Sequence, residues 1–207
     1  HVLYNGVDRH LKSFPIKKKE ILFVGRLVSE KGVDLYVDAV KNIAKKFPDW
    51  TFDLIGSFRL GENKNKNAFS NNLIKEFTSI SKQTKFHGFK NQVFIQEKMK
   101  TASIIVIPSV WEEPFGLVAA EAMSNGIAII ASNIGGIPEV VKDNGVLIDD
   151  INKQKLEYAL VDLMSNTNKR KKLQRMSWDN FKFSAKRSSE KLDFYRDMIL
   201  SKEFIDY

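Results

Sequence analysis

The chain has 207 residues, with 33 Lys and Arg against 25 Asp and Glu, a formal charge of +8. Hydrophobic residues make up 43% and charged residues 28%, a globular composition that excludes disorder and a coiled coil. There is no cysteine, which excludes a disulfide framework, a zinc–thiolate site and a cysteine nucleophile.

The first half alternates strand and helix signals. Residues 20–25 (EILFVG) form a short apolar run closed by Gly25, which reads as a buried strand. A helix follows over 31–47, with Tyr36, Val40, Ile43 and Phe47 at helical spacing and Pro48 as its stop. Residues 51–56 (TFDLIG) read as a strand and 57–67 as a polar loop rich in Asn and Lys. A helix over 68–81, a strand over 84–88 and a helix over 92–101 come next. Residues 103–107 (SIIVI) are a fully buried strand, and a loop over 108–114 leads into a helix over 116–124. Another buried strand spans 127–131 (IAIIA). Pro138 suits a first helical turn, so 137–141 reads as a short helix, and 146–148 as a last strand. Continuous apolar strands separated by helices imply a parallel sheet covered on both faces. The expected fold is α/β: a doubly wound, Rossmann-like parallel sheet of about six strands with a helical C-terminal tail. In that tail Leu156, Leu160 and Leu163 share one stripe, and Phe181, Ala185, Leu192, Tyr195 and Ile199 another.

The longest apolar runs, 103–107 and 126–131, are far shorter than the ~20 residues of a membrane span. No basic-plus-apolar leader opens the chain. It begins with His1 rather than Met, so a natural start upstream is expected. The positive charge clusters at Lys17–Lys18–Lys19, at Lys169 to Arg175, and at Lys182, Lys186, Arg187 and Lys191. Solvated helix faces are the favoured reading, ahead of a membrane-surface patch. Nucleic acid is not an expected partner, since no RNA-binding aromatic motif, zinc-finger spacing or glycine–arginine tract occurs.

In open parallel sheets, ligands bind beyond the carboxyl ends of the strands. After the first strand come Gly25, Arg26 and, five residues on, Lys31. The segment is neither a phosphate-cradling P-loop nor a dinucleotide fingerprint. Arg26 and Lys31 form either an electrophilic pair for a phosphate or surface cations paired with Glu30 or Asp34. After the strand over 103–107 come Glu113, Pro114, Phe115, Gly116 and Leu117, then a helix that contains Glu121. Gly116 permits close backbone approach, and the helix start offers N–H groups to an anion. Glu121 lies two turns into an apolar stretch and needs a partner. Sugar or ribose hydroxyls would supply one, and so would a neighbouring loop. Gly135 and Gly136 make a tight turn that is either part of the crevice or purely structural. His87, inside a strand, reads as a packed residue rather than a base.

Together these stretches resemble the C-terminal, donor-binding domain of the retaining, two-Rossmann-domain (GT-B type) glycosyltransferases of family 4. The matching pieces are Asn5-Gly6-Val7-Asp8, Val24-Gly25-Arg26-Leu27 with Lys31-Gly32, His87-Gly88-Phe89, Pro108-Ser109, and Glu113-Pro114-Phe115-Gly116-Leu117 with Glu121-Ala122-Met123. Gly126, Ala131-Ser132 and Gly135-Gly136-Ile137-Pro138-Glu139-Val140 complete the series, which runs from Asn5 to about Ile148. The resemblance implies catalytic roles for Arg26, Lys31 and Glu113: the cations hold the donor's diphosphate and Glu113 meets the transferred sugar. It implies donor-binding roles for Gly25, Gly88, Phe89, Phe115, Gly116, Leu117 and Glu121. Gly88 and Phe89 border the base, and Glu121 binds the ribose.

The implied reaction moves a hexose from a UDP- or GDP-sugar to a lipid-linked or polysaccharide acceptor, with retention and without metal or cofactor. No Asp-x-Asp pair occurs to hold a divalent ion. The implied setting is cell-envelope polysaccharide or lipopolysaccharide synthesis in the cytoplasm, with peripheral membrane contact left open. The implied layout is an entry segment over 1–19, the donor domain over 20–183, and a last helix over 184–207 that crosses to an N-terminal acceptor domain. The stripe at Leu192, Tyr195 and Ile199 is then either exposed or available for self-association. The alternatives are a nucleotide-sugar-binding module without transfer activity, a nucleotide-sugar epimerase, or a basic surface-binding protein. The 207 residues alone are expected to transfer poorly.

Overall fold

A computed structural model describes residues 2–58 and 68–203, with backbone alone for 202 and 203. Most of the predicted polar loop over 57–67 lies outside the described residues. The strands are β1 (Lys18–Val24), β2 (Thr51–Ile55), β3 (Thr84–Gly88), β4 (Ala102–Ile107), β5 (Ala128–Ser132) and β6 (Gly145–Ile148). The interleaved helices are α1 (Val33–Ile43), α2 (Ala68–Ile80), α3 (Gln92–Thr101), α4 (Leu117–Ser124) and α5 (Ile137–Val141). The tail holds α6 (Lys153–Ser165), α7 (Thr167–Asp179) and α8 (Ala185–Glu203).

The sheet order is β3-β2-β1-β4-β5-β6, with every neighbouring pair parallel. The chain reverses its winding between β1 and β4, so a crevice opens at their carboxyl ends. Alternate residues of the central strands feed two cores. Ile21, Phe23, Ile104, Val106 and Ile130 pack with α1, α2 and α6 on one face. Leu22, Ile105, Ile107 and Ile129 pack with α3, α4 and α5 on the other. Burial on both faces explains why β4 and β5 lack the polar alternation of a half-exposed strand.

Helix boundaries are the main difference from expectation. The helix predicted over 31–47 is α1 flanked by 3₁₀ turns at Ser29–Lys31 and Ala44–Lys46. Gly32 separates the first turn from α1 at φ +61, and a Cβ there would stand 1.9 Å from the Pro108 carbonyl oxygen. This close approach joins the loop after β1 to the loop after β4. The hydrogen bond from Val110 N to Glu30 O (2.9 Å) reinforces it. The leucine stripe at 156, 160 and 163 is fully buried. The second stripe is not continuous: Phe181 precedes α8, and Leu192 and Ile199 are exposed.

Two cations depart from the expectation of solvated faces. Lys17 Nζ donates to the carbonyls of Met99 (3.1 Å), Lys100 (3.0 Å) and Asn125 (2.7 Å), closing the C-terminal ends of α3 and α4. Burial pushes its ammonium down to about 7. Arg170 is buried and donates to the carbonyls of Leu163 (2.6 Å) and Met164 (3.0 Å), with its guanidinium 4.9 Å from the Trp50 ring. Both satisfy helix-end carbonyls that otherwise have no partner.

Candidate donor site

A cleft of about 640 Å³ occupies the switch point. Gly25, Arg26 and Lys31 line it from the β1 side, and Pro108, Ser109 and Glu113 from the β4 side. Phe115, Gly116, Leu117 and Glu121 add the start and inner face of α4, while Phe89 and Gln92 close the far wall. The fold thus brings together nine of the ten residues singled out in the sequence. Gly88 is the exception. It ends β3 outside the cleft lining, and its carbonyl accepts from Gly56 N at 2.9 Å.

Lys31 is paired with neither Glu30 nor Asp34. Its ammonium bonds the Glu113 carboxylate across the cleft. The same Glu113 Oε1 accepts from Ser109 Oγ at 2.8 Å. The Trp111 ring centroid lies 5.5 Å from Lys31 Nζ. Arg26 is exposed and makes no side-chain hydrogen bond or ion pair among the described residues. One cation is therefore held in place and the other is uncommitted.

The Glu113 loop is braced from behind. Gly136 N donates to Glu113 O at 2.6 Å. A Cβ on Gly135 would stand 2.5 Å from Glu113 O, and one on Gly136 2.5 Å from Pro114 O. Neither glycine is among the residues that line the cleft. Their role toward the site is to let one backbone lie against another.

Glu121 lies on the wall of the cleft and accepts from Gln92 Nε2 at 2.7 Å. Burial raises its carboxyl above the usual value, against the lowering effect of Gln92. The first N–H groups of α4, after Gly116, have no partner within the helix and lie on the same wall.

The sequence reading missed three contributors. Gln92 orients Glu121, and Ser109 orients Glu113. The third lies outside the cleft lining and ties β2, β3 and α3 together: Asp53 is fully buried and bonds His87, with Lys98 Nζ 3.0 Å away. His87 is packed as expected, with its ring 5.3 Å from that of Phe94. A carboxylate inside the apolar strand TFDLIG was the available signal for this cluster. Among the described residues, no group of three or more His, Asp or Glu is arranged to hold a metal ion. No helix there is long and apolar enough to cross a membrane.

The profile of the family "Glycosyl transferases group 1" matches residues 8–177. The chain belongs to this family. It is 35% identical to spore coat protein SA of Bacillus subtilis over 168 residues, which is 77% of this chain and 43% of that protein. The C-terminal domain of LpcC, a glycosyl transferase group 1 family protein of Francisella tularensis, superposes with a TM-score of 0.67 at 29% identity. That match covers 86% of this chain and 93% of the LpcC domain. Anabaena HepE, crystallised with UDP-glucose, shares the fold at 24% identity and a TM-score of 0.67, over 85% of this chain and 49% of HepE. The chain spans about half the length of the curated relatives it matches. The group 1 glycosyltransferase fold thus accounts for the six-stranded parallel sheet, its two helical layers and the crevice between β1 and β4.

Proposed function

We propose that this chain is the donor-holding half of a glycosyltransferase that moves a hexose from a nucleoside diphosphate sugar to a glycan or lipid-linked acceptor. The observation that carries the reading is the meeting of Arg26, the Lys31–Glu113 pair and the α4 N-terminus in one cleft at the switch point. UDP-glucose is the ligand of HepE, which has the same fold.

The chemistry follows from charge. Cleavage of the bond between the sugar's anomeric carbon and the diphosphate oxygen leaves negative charge on the departing nucleoside diphosphate. Arg26 can fork onto a phosphate, and Lys31 adds a point charge. The N–H groups of Leu117 and Val118 complete a preorganised anion site. When the diphosphate arrives, Lys31 exchanges Glu113 for phosphate. Glu113 then becomes an acceptor for sugar hydroxyls, still held by Ser109. Glu121, held by Gln92, accepts from the ribose. Metal independence fits a site whose positive charge comes from side chains and a helix end. Retention of configuration rests on family resemblance.

A thermal-shift panel of UDP- and GDP-sugars tests the reading. A matching donor raises Tm in a concentration-dependent way, and Arg26→Ala reduces that shift. A shift that survives Arg26→Ala unchanged overturns the diphosphate assignment.

A further inference from the structure

A second pocket, of about 270 Å³, lies where the N-terminal segment meets α5 and α8. Its lining includes Lys142, Lys182, Arg187 and Lys191, with Glu139 as the one carboxylate. Glu139 is already engaged by the Tyr4 hydroxyl at 2.7 Å. Lys191 Nζ donates to Val2 O at 2.8 Å. The side chains of Lys142, Lys182 and Arg187 make no hydrogen bond or ion pair among the described residues. They come from three separate segments: the end of α5, the strap before α8, and the first turn of α8. Lys142 stands at φ +47, a backbone region that favours glycine, yet it carries a charged side chain into the pocket lining.

Three uncommitted cations around one small concavity repel one another unless an anion joins them. A single carboxylate would neutralise only one. A phosphate group offers several oxygens and up to two charges, and it matches the arginine fork. The Ser188 side chain also lines the pocket and carries a further donor. The start of α8 contributes in the same direction, since Ser184 takes up only the N–H groups of Arg187 and Ser188. The pocket is separate from the donor cleft. The packed rings of Tyr4, Phe115 and Phe183, with centroids 5.6–5.8 Å apart, stand between them.

We infer that this pocket is a second anion site, one that takes a phosphate group borne by a molecule other than the sugar donor. The inference is independent of the donor reading, and its test keeps the two apart. Inorganic pyrophosphate is titrated into the isotope-labelled 207-residue chain with UDP at saturating concentration, and amide shifts are followed by NMR. The expected result is saturable shifts at Lys142, Arg187 and Ser188. Affinity falls about tenfold or more in the K142Q/K182Q/R187Q variant, while UDP binding stays unchanged. The three side chains are on the surface, so the variant should keep its Tm; single Arg187→Gln provides a milder check. A second arm measures sedimentation with phosphatidylglycerol against phosphatidylcholine vesicles. Vesicle binding that the triple variant loses assigns the phosphate to a lipid headgroup. Soluble binding without vesicle binding assigns it to a soluble ester. The inference is overturned if neither occurs, if shifts appear only at 25–31 and 113–118, or if the variants bind as the parent does.

Discussion

Replacing Glu113 with Gln should separate what Lys31 does in the empty site from what it does with a donor. In the empty cleft Lys31 is committed to Glu113, whose side chain is 13% exposed against 20% for Lys31. Breaking a fully buried pair by removing one partner costs about 3–5 kcal/mol, and an exposed pair is worth about 0–1. The partial exposure here, and the hydrogen bond Glu113 keeps to Ser109, put Lys31→Met at about 1–2 kcal/mol of folding stability. Glu113→Gln keeps the Ser109 contact and frees the ammonium. UDP no longer competes with a carboxylate for Lys31, so it should bind more tightly, by roughly the coupling of about 0.5–3 kcal/mol typical of groups in contact. The sugar loses its charged acceptor, so transfer by a full-length enzyme carrying the change should fall while UDP affinity rises. Lys31→Met should lower both, with turnover down ~10²–10³-fold. Calorimetric titration of UDP into the parent, the two single variants and the double variant closes the cycle, and urea unfolding supplies the stability arm. Equal UDP affinity in the parent and Glu113→Gln would refute the idea that Lys31 changes partners.

Two further outcomes follow from the packing around the site. Asp53 is pushed up by burial, but its bonds to His87 and Lys98 outweigh this and hold its carboxyl below the ordinary value of 3.8. Its contribution to stability is therefore complete above 3.8 and disappears as pH falls through the lowered value. Urea midpoints measured from pH 5 to 2 should drop less steeply in Asp53→Asn than in the parent; parallel curves would remove Asp53 from the account of acid unfolding. Gly32→Ala places a methyl 1.9 Å from the Pro108 carbonyl at a positive φ, so the loops after β1 and β4 must part. A loss of about 1–3 kcal/mol with weakened UDP binding is expected, and an unchanged thermal midpoint would contradict the tight approach.

How much of this site was legible along the chain depends on the range of the interaction concerned. Continuous apolar strands such as SIIVI and IAIIA, with helix-period segments between them, already required a covered parallel sheet. The strand-end rule then pointed to Arg26, Lys31, Glu113 and Glu121, because a parallel sheet places every strand's carboxyl end on one edge. Spacing could not choose partners. Local pairing offered Lys31 the nearby Glu30 and Asp34, whereas the fold delivers Glu113 from 82 positions away. Lys17 and Arg170 looked like members of solvated basic runs. Only the packing of α3, α4 and α6 shows that carbonyl ends needed them. Gly135 and Gly136 announced a turn, but what the turn lies against is the loop after β4. Periodicity and composition, which act through neighbours in the chain, determined the layers and the edge that carries the cleft. The identity of each charged group's partner was left to the tertiary structure, since electrostatic and hydrogen-bond choices depend on distance in space rather than on separation in sequence.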